Sequence, residues 1–319
     1  MPHAAPFTAR EGAGKRALIT GLAGFTGFYM AQELVAAGYR VFGTTMPGNS
    51  LDHTAAGVAL EDVFAVDLCN AAAVAATVEQ VRPDVVVHLA GIAFVGHANV
   101  DLMYAVNVVG SRNLLAALAA SPHRPGAVLL ASSANIYGNA DVAVIDESVA
   151  PAPANDYAVS KLAMEYMARL WMDRLPIILA RPFNYTGVGQ TDHFLLPKIV
   201  GHFRRGAREI ELGNVAIVRD FSDVRSVVRS YRGLVAAAPG AAWPDPAFNV
   251  CSGRATSLHS VIALMEEIAG YKIAVKVNPA FVRSNDVLTL TGSRAKLDQA
   301  IGAVEQVALA DTLRWMYSA

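Results

Sequence analysis

A tyrosine and a lysine four residues apart are the first pair in this chain with the right types and spacing for chemistry. Tyr157 and Lys161 lie in a stretch with helical periodicity, which places both side chains on one helix face. A nearby ammonium group stabilises a phenolate, so the tyrosine becomes a usable acid or base closer to neutral pH. Ser133 ends the apolar run 129–133, at the expected carboxyl edge of a sheet, where a hydroxyl can bind a substrate oxygen. Together these residues indicate acid–base chemistry.

A glycine-rich turn near the start of the chain indicates a phosphate-binding site. Gly21, Gly24 and Gly27 follow the apolar run 16–20 and precede a helical pattern that begins at Phe25. A strand that turns into a helix presents backbone N–H groups and a positive helix end to a diphosphate, and glycine lets the backbone approach closely. Because the three glycines lie between a strand and a helix, they predict a dinucleotide site rather than an ordinary turn.

Strands and helices that could position these residues alternate through the first 180 residues. Strands are predicted near 16–20, 40–44, 62–66, 84–89, 127–132 and 176–181, and helices near 25–37, 70–81, 99–120 and 155–174. Continuous apolar strands are typical of a parallel sheet that is covered on both faces. The alternation therefore predicts an α/β fold with a doubly wound parallel sheet of the Rossmann type.

The regular alternation weakens after residue 182. Helices are predicted near 193–205, 223–237, 257–269 and 304–317, and strands near 209–218, 246–250 and 272–277. We expect a dinucleotide-binding domain and a smaller, discontinuous α/β substrate domain. The first is assigned to residues 15–182 and 219–251, and the second to residues 183–218 and 252–319. Residues 1–14 lack the pattern of a secretory signal and are expected to form a loose extension.

The composition excludes several classes of partner. The net charge is −1 over 319 residues and only 17% of residues are charged, so there is no basic stripe for nucleic acid or for a membrane surface. No apolar run is as long as a membrane span. Cys69 and Cys251 are far apart and fit no metal-binding spacing, which favours two buried thiols in a reducing compartment. We expect a cytoplasmic protein without a metal, nucleic acid or membrane partner.

From Lys15 onward the chain resembles the extended short-chain dehydrogenase/reductase family of nucleotide-sugar enzymes. The matching segments are 20–27, 67–68, 88–91, 107–110 and 133–138, together with Tyr157 and Lys161. The resemblance implies a catalytic set of Ser133, Tyr157, Lys161 and Asn107, in which Asn107 holds a water that relays protons to Lys161. It also implies cofactor contacts from Gly21, Gly24, Phe25, Thr26, Gly27, Thr44, Asp67, Leu68, Leu89, Ala90, Tyr157 and Lys161.

Within this family the chain looks most similar to members that act on GDP-linked sugars. The similar segments are 181–190, 213–214, 218–224, 248–253 and 278–283. The resemblance implies substrate contacts from Asn135, Asn184, Lys198, Arg219 and Arg283. Asn184 is expected near the sugar, and the two arginines are expected at the diphosphate, because a planar guanidinium makes paired contacts with phosphate oxygens.

The residues after Ser133 bear on the type of reaction. Family members that dehydrate sugars carry an acidic residue two positions after this serine, whereas this chain has Ala134 and Asn135, which do not exchange a proton at pH 7. Dehydration is therefore disfavoured. The resemblance implies NAD(P)H-dependent reduction of the C4 ketone of a GDP-4-keto-6-deoxy sugar, giving GDP-D-rhamnose or a related GDP-6-deoxy sugar. Tyr157 would donate the proton and Ser133 would bind the carbonyl oxygen, while Lys161 lowers the tyrosine pKa and binds the nicotinamide ribose.

The second predicted strand leaves the cofactor preference open. It ends in Gly43, Thr44, Thr45 and Met46, without an acidic residue for the ribose 2′-hydroxyl of NAD or an arginine for a 2′-phosphate. We favour NADP(H), with NAD(H) as the alternative.

Other functions on the same fold stay open. The alternatives are a nucleotide-sugar 4-epimerase that retains NAD, a GDP-sugar 4,6-dehydratase, and a non-catalytic nucleotide-binding protein. The last is disfavoured because Ser133, Tyr157 and Lys161 are all present. The resemblance further implies a homodimer that forms through the helices near 99–120 and 155–174.

Overall fold

A computed structural model describes residues 10–48, 56–93, 99–281 and 288–319. The strands in chain order are β1 (Arg16–Thr20), β2 (Arg40–Thr45), β3 (Val63–Ala65), β4 (Val85–His88), β5 (Ala127–Ala131), β6 (Ile177–Pro182), β7 (Asn184–Thr186), β8 (Glu209–Leu212), β9 (Val218–Asp223), β10 (Ala247–Val250), β11 (Ala255–Ser257), β12 (Ala274–Val277) and β13 (Thr289–Leu290). The helices are α1 (Phe25–Ala36), α2 (Ala71–Val81), α3 (Val100–Tyr104), α4 (Ser111–Ala120), α5 (Asp156–Arg169), α6 (Leu195–Arg204), α7 (Val224–Ala237), α8 (Leu258–Ala269), α9 (Ala295–Ile301) and α10 (Leu309–Ser318).

A seven-stranded parallel sheet forms the centre of the fold. Its strand order is β10-β6-β5-β4-β1-β2-β3, so the chain starts in the middle, runs to one edge and then crosses back to the other. This order is that of a doubly wound sheet, and the predicted fold class is confirmed. In such a sheet, ligands bind beyond the carboxyl ends of the strands, near the point where the order reverses.

Strand β5 shows why the central strands are apolar throughout. Ala127 and Leu129 belong to the core on the side of α1 and α7, while Val128 and Leu130 belong to the core beside α2, α4 and α5. Successive side chains of a strand point to opposite faces, so a strand covered on both sides must be apolar at every position.

The helical run Val100–Ala120 is not one regular helix, contrary to the prediction of a single helix over 99–120. A π-helical turn, Ala105–Gly110, separates α3 from α4. The run also has the length and hydropathy of a membrane span, which the sequence was not expected to contain. Half of the apolar stretch is buried inside the protein, as in the core helix of a folded domain.

Smaller sheets form a second layer of structure. Strands β11, β9 and β13 lie side by side, β7 pairs with the end of β9, and β8 pairs with β12. A separate apolar core joins α6, α8 and α10 to these strands, with Phe203, Val261 and Leu313 at its centre. The domain boundaries given above stay a prediction.

Residues 10–14 differ from the loose extension expected there. The amide of Gly12 donates to the Ala37 carbonyl, and both carboxylate oxygens of Glu11 accept hydrogen bonds from the Arg232 guanidinium. Arg232 also donates to Glu33, so this part of the chain is tied to α1 and α7. Residues 1–9 lie outside the described residues.

Candidate active site

The predicted catalytic residues meet at the carboxyl end of β5. Ser133 follows this strand directly, and Tyr157 and Lys161 lie on α5, where the side chain of Asn155 caps the first turn by accepting from the Ala158 amide. All three side chains are buried, and Ser133 lies close enough to Tyr157 to influence its pKa. The sheet and α5 thus bring Ser133 next to two residues that lie 24 and 28 positions later in the sequence.

The acid–base properties of Tyr157 and Lys161 differ from expectation. Burial raises the pKa of Tyr157 to about 12, although Ser133 acts in the opposite direction. Burial lowers the pKa of Lys161 to about 8, against the influence of the Glu165 carboxylate. The expected lowering of the Tyr157 pKa by Lys161 is therefore not found. The reason is that burial outweighs other influences on the phenol, and the Lys161 ammonium donates to the Ala131 carbonyl oxygen at 2.8 Å.

Asn107 holds the chain segment that follows β4. Its side-chain oxygen accepts from the Ile92 amide at 2.8 Å, and its amide nitrogen donates to the Ile92 carbonyl at 3.1 Å and to the Ser160 hydroxyl at 3.0 Å. A Cβ atom at Gly91 would lie 2.9 Å from the Asn107 oxygen and 3.2 Å from the Lys161 nitrogen. Asn107 thus lies at the site, and its protein contacts position the backbone there; the proposed proton-relaying water stays a prediction.

A buried hydrogen-bond chain links the glycine-rich turn to Asn107. The Ser111 hydroxyl donates its one proton to the Asn107 carbonyl at 2.7 Å, so it must accept from His88 Nε2, 2.8 Å away. His88 is neutral, because burial lowers its pKa to about 3, and its Nδ1 therefore accepts from the Thr20 hydroxyl at 2.6 Å. Thr20 in turn accepts from the Ala90 amide. The sequence had placed His88 only within the family-matching segment 88–91, without this hydrogen-bonding role.

The glycine-rich turn has the shape that a diphosphate requires. Gly21 adopts a φ of +75°, and a Cβ atom there would lie 2.8 Å from the Ala90 nitrogen, while one at Gly27 would lie 2.3 Å from the Gly21 oxygen. The Thr44 carbonyl accepts from the amides of Gly21 and Leu22, which fixes the turn against β2. No side-chain hydrogen bond caps the start of α1, and uncapped amides at a helix start can bind an anion. These residues fit a dinucleotide.

The start of α1 contacts β7 through Phe25 and Thr26, which were predicted to bind the cofactor, and Tyr185, which was not predicted to have a role. The Thr26 hydroxyl lies 2.8 Å from the Tyr185 hydroxyl, and the Phe25 ring stacks on the Tyr185 ring with centroids 6.1 Å apart. Burial raises the pKa of Tyr185, and its hydroxyl is close enough to raise that of Tyr157 slightly. Tyr185 was missed as a site residue; its position next to Asn184 was the available signal.

Other residues predicted to contact the cofactor lie along the remaining strands of the same edge. Leu68 is buried, and its carbonyl accepts from Asn113 on α4 at 2.9 Å. Asp67 accepts from the Cys69 amide at 2.9 Å, which shapes the turn after β3. Thr44 is buried at the end of β2, and Leu89 follows β4.

The predicted substrate residues are more dispersed. Asn135 lies in the short turn after Ser133, and Asn184 pairs in register with Phe221. The Lys198 ammonium donates to the Glu211 carbonyl at 2.8 Å and lies 4.5 Å from the centre of the Phe281 ring. Arg219 donates to the carbonyls of Val218 and Leu288, both at 3.0 Å. Arg283 lies outside the described residues.

Comparison with known proteins identifies the family. Residues 18–316 match the family described as GDP-mannose 4,6 dehydratase. The chain belongs to this family. It is 32% identical over 288 residues to a GDP-6-deoxy-D-talose 4-dehydrogenase from Aggregatibacter actinomycetemcomitans, covering 89% of this chain and 90% of the relative. It is 34% identical over 247 residues to the GDP-6-deoxy-D-mannose reductase of Pseudomonas aeruginosa, covering 74% of this chain and 80% of the relative.

Solved structures agree with this assignment. A crystal structure from Burkholderia cenocepacia J2315, described as that of a candidate epimerase, is 55% identical, with a TM-score of 0.88 and coverage of 96% of this chain and 98% of the other. The structure of RMD from Pseudomonas aeruginosa complexed with NADPH is 29% identical, with a TM-score of 0.80 and coverage of 95% and 98%. The chain is thus an NAD(P)-dependent oxidoreductase of the extended short-chain dehydrogenase/reductase type.

Proposed function

We propose that this enzyme reduces the C4 ketone of a GDP-4-keto-6-deoxy sugar to give a GDP-6-deoxy sugar, such as GDP-D-rhamnose, in deoxysugar biosynthesis. The single observation that carries the proposal is that Ser133, Tyr157 and Lys161 are buried together at the sheet edge that also carries the glycine-rich turn. The GDP-sugar names of two relatives support the substrate class.

The chain's own groups bind the ketone and supply its proton. A nicotinamide dinucleotide, when bound, would supply the hydride for C4. Tyr157 donates its hydroxyl proton to the ketone oxygen, while the Ser133 hydroxyl hydrogen-bonds the same oxygen and stabilises the negative charge that develops. A pKa of about 12 keeps Tyr157 protonated at neutral pH, as a proton donor must be. On the same helix face as Tyr157, the Lys161 ammonium would hydrogen-bond the nicotinamide ribose, and Asn107 fixes the adjoining backbone.

Two neighbouring side chains favour reduction over dehydration. Ala134 is buried and cannot transfer a proton, and the Asn135 side chain is an amide. A base for removal of a C5 proton is therefore lacking at these two positions. The second candidate is a nucleotide-sugar 4-epimerase, which the description of the 55% identical structure favours.

We further propose NADP(H) as the preferred cofactor, with NAD(H) as the alternative. Thr44 and Thr45 end β2 as buried, uncharged residues, so no carboxylate there repels a 2′-phosphate. The complex of the Pseudomonas relative with NADPH supports the same preference.

We also propose that the protein forms a homodimer and lies in the cytoplasm. Large apolar side chains are exposed on the outer faces of α5 and the helical run before it, namely Leu102, Val109, Val159, Tyr166 and Leu170. The Leu170 side chain is 79% exposed. Exposure of a patch of large apolar side chains to water is unfavourable, which supports burial of this patch in a dimer interface. A single monomer boundary in sedimentation velocity at micromolar concentration would contradict the dimer.

The test is product analysis by NMR after incubation with GDP-4-keto-6-deoxymannose and either NADPH or NADH. We expect one GDP-6-deoxy sugar, whose H4 couplings identify the C4 configuration, and a lower KM for NADPH. Conversion of a nucleotide sugar without added reductant, by protein that carries tightly bound NAD⁺, would identify an epimerase instead. A 4-keto product from GDP-mannose alone would identify a dehydratase.

A further inference from the structure

A buried ion pair lies directly behind the catalytic lysine. Glu165 is one helical turn after Lys161 on α5, and its two carboxylate oxygens accept from Arg181 Nε at 2.9 Å and Nη2 at 2.7 Å. Glu165 is 1% exposed and Arg181 is 5% exposed. Two ions so far from solvent lose much of their hydration energy, and a paired geometry of this kind offsets that loss. None of the reaction steps assigned above uses this pair.

The same arginine reaches the turn that carries the catalytic serine. Arg181 Nη1 donates to the Tyr137 hydroxyl at 2.8 Å, and Tyr137 donates to Asn249 on β10 at 2.8 Å. Tyr137 ends the short turn that begins directly after Ser133. Through one guanidinium, the helix of Tyr157 and the turn of Ser133 are held in a fixed relation.

We propose that Glu165 and Arg181 are positioning residues, whose ion pair keeps Lys161 in its ammonium form and fixes the helix of Tyr157 against the turn of Ser133. The kinetic consequence of this inference rests on the proposed function, whereas the effect on Lys161 does not. Glu165 and Lys161, four positions apart on α5, share one buried helix face. A carboxylate on that face favours the charged form of the lysine, and the arginine holds the carboxylate in place while its own positive charge offsets part of that effect.

In the described part of the chain, few other charges face Lys161 and compete with this pair. Burial alone would drive the lysine toward its neutral form, and the Glu165 carboxylate is the charge that opposes this by raising the Lys161 pKa. Among the residues that the structure describes, the remaining titratable or charged groups on α5 near Lys161 and on the elements packed against that helix are Tyr157 and Asp156 on α5, Asp101 and Tyr104 on α3, Arg112 on α4, Tyr137 in the serine turn, and His88 at the end of β4. His88 is neutral, and Asp101 and Arg112 are exposed to solvent, which screens them.

The test measures the titration of Lys161 directly, without substrate. The chain has six lysines, so labelling them with ¹³C at Cε gives few NMR signals, and the one missing from Lys161→Arg identifies Lys161. Glu165→Gln leaves an unbalanced arginine, and we expect its titration midpoint about 1 pH unit below that of the wild type. Arg181→Met leaves the carboxylate facing Lys161 alone, and we expect the midpoint to rise. Arg181→Lys, which keeps the charge, should restore the wild-type midpoint.

Controls separate this effect from general structural damage. Glu79→Gln makes the same chemical change at an exposed ion pair, with Arg82, and should leave the Lys161 midpoint unchanged. If either single variant fails to fold, the double variant Glu165→Gln/Arg181→Met still decides, because it buries no unpaired ion. Its midpoint should lie between those of Glu165→Gln and the wild type, and an unchanged midpoint overturns the proposal. Shifts of the same sign in both single variants overturn it too.

Kinetics then tests the link to catalysis. With the GDP-4-keto-6-deoxy sugar, the pH at which kcat falls on the alkaline side should move with the Lys161 midpoint of each variant. A midpoint that moves while this kinetic pH stays fixed shows that the pair does not act on catalysis. If Lys161 titrates as expected but the wild type does not turn over the sugar, the proposed function fails and the role of the ion pair stands.

Discussion

The catalytic edge of the large sheet and the surface of the smaller sheets hold their polar side chains in different ways. At the catalytic edge, Lys161, Asn107 and His88 are buried, and each of them is hydrogen-bonded to another part of the chain. At the smaller sheets, Lys198 on α6 and Arg219 on β9 are half-buried and donate to nearby backbone carbonyls. The first region is fixed before any ligand arrives, whereas the second can exchange a local carbonyl for a ligand at little cost.

This difference indicates a division of labour between chemistry and recognition. Buried groups with fixed partners suit a reaction that needs one geometry and controlled proton positions. Half-exposed cations suit a charged substrate that must enter and leave. Variants in the first region should therefore change kcat or stability, and variants in the second should change KM.

The largest effect is expected for Tyr157→Phe. Removing the hydroxyl takes away the proton donor, so kcat should fall by about 10²- to 10⁴-fold, while the KM for the cofactor stays close to that of the wild type. Steady-state kinetics with NADPH measures both. Tyr166→Phe, on the same helix but 62% exposed, is the matched control and should behave as wild type. Substantial turnover by Tyr157→Phe would remove this tyrosine from the mechanism.

A smaller effect, on stability rather than on rate, is expected from His88. Its pKa is about 3 in the folded protein against 6.5 for a free histidine, so below pH 6.5 the unfolded chain takes up a proton that the folded one does not. Stability therefore falls as the pH drops from 6.5 toward 3, by about 2 kcal/mol at pH 5. Denaturant unfolding at pH 7 and pH 5 should show this loss in the wild type but not in His88→Gln. The exposed His259→Gln serves as control, and an equal loss in all three proteins would contradict the assignment.

The smallest effect is expected on the substrate side. Arg219→Ala should raise the KM for the GDP-sugar about tenfold, as the loss of one charge-assisted phosphate contact predicts, with kcat nearly unchanged. Arg208→Ala removes an exposed guanidinium that lies over the Tyr271 ring and should leave the KM unchanged. A fall in kcat with constant KM for Arg219→Ala would break the distinction between the two regions.

Much of the large sheet could be predicted from sequence because its signals are local. An apolar run such as 16–20, bounded by a lysine and a glycine, defines β1 without reference to the rest of the chain. The pairing of Ser133 with Tyr157 was also predictable, because each ends or begins an element at the same sheet edge. The family resemblance added Asn107, which no local pattern singled out.

What could not be predicted depends on contacts between distant residues. Helix α9 is a seven-residue element without a side-chain cap, and its start is tied by the Arg294–Asp298 ion pair rather than by a periodic pattern. The C-terminal helix was expected from 304 but begins at Leu309. The high pKa of Tyr157 follows from burial by other elements, which a sequence does not display.

The π-helical turn before α4 has a consequence for how this protein can vary. Each residue of an α-helix turns the chain by about 100°, so one extra residue in a turn reorients everything that follows it. Here the offset lets Asn107 reach the Ile92 backbone while Ser111, four positions later, reaches His88. Deleting one residue from this segment would make the helix regular. Asn107 and Ser111 could then no longer reach the Ile92 backbone and His88 at the same time, so the deletion would disrupt the active site without removing any of the residues predicted to be catalytic.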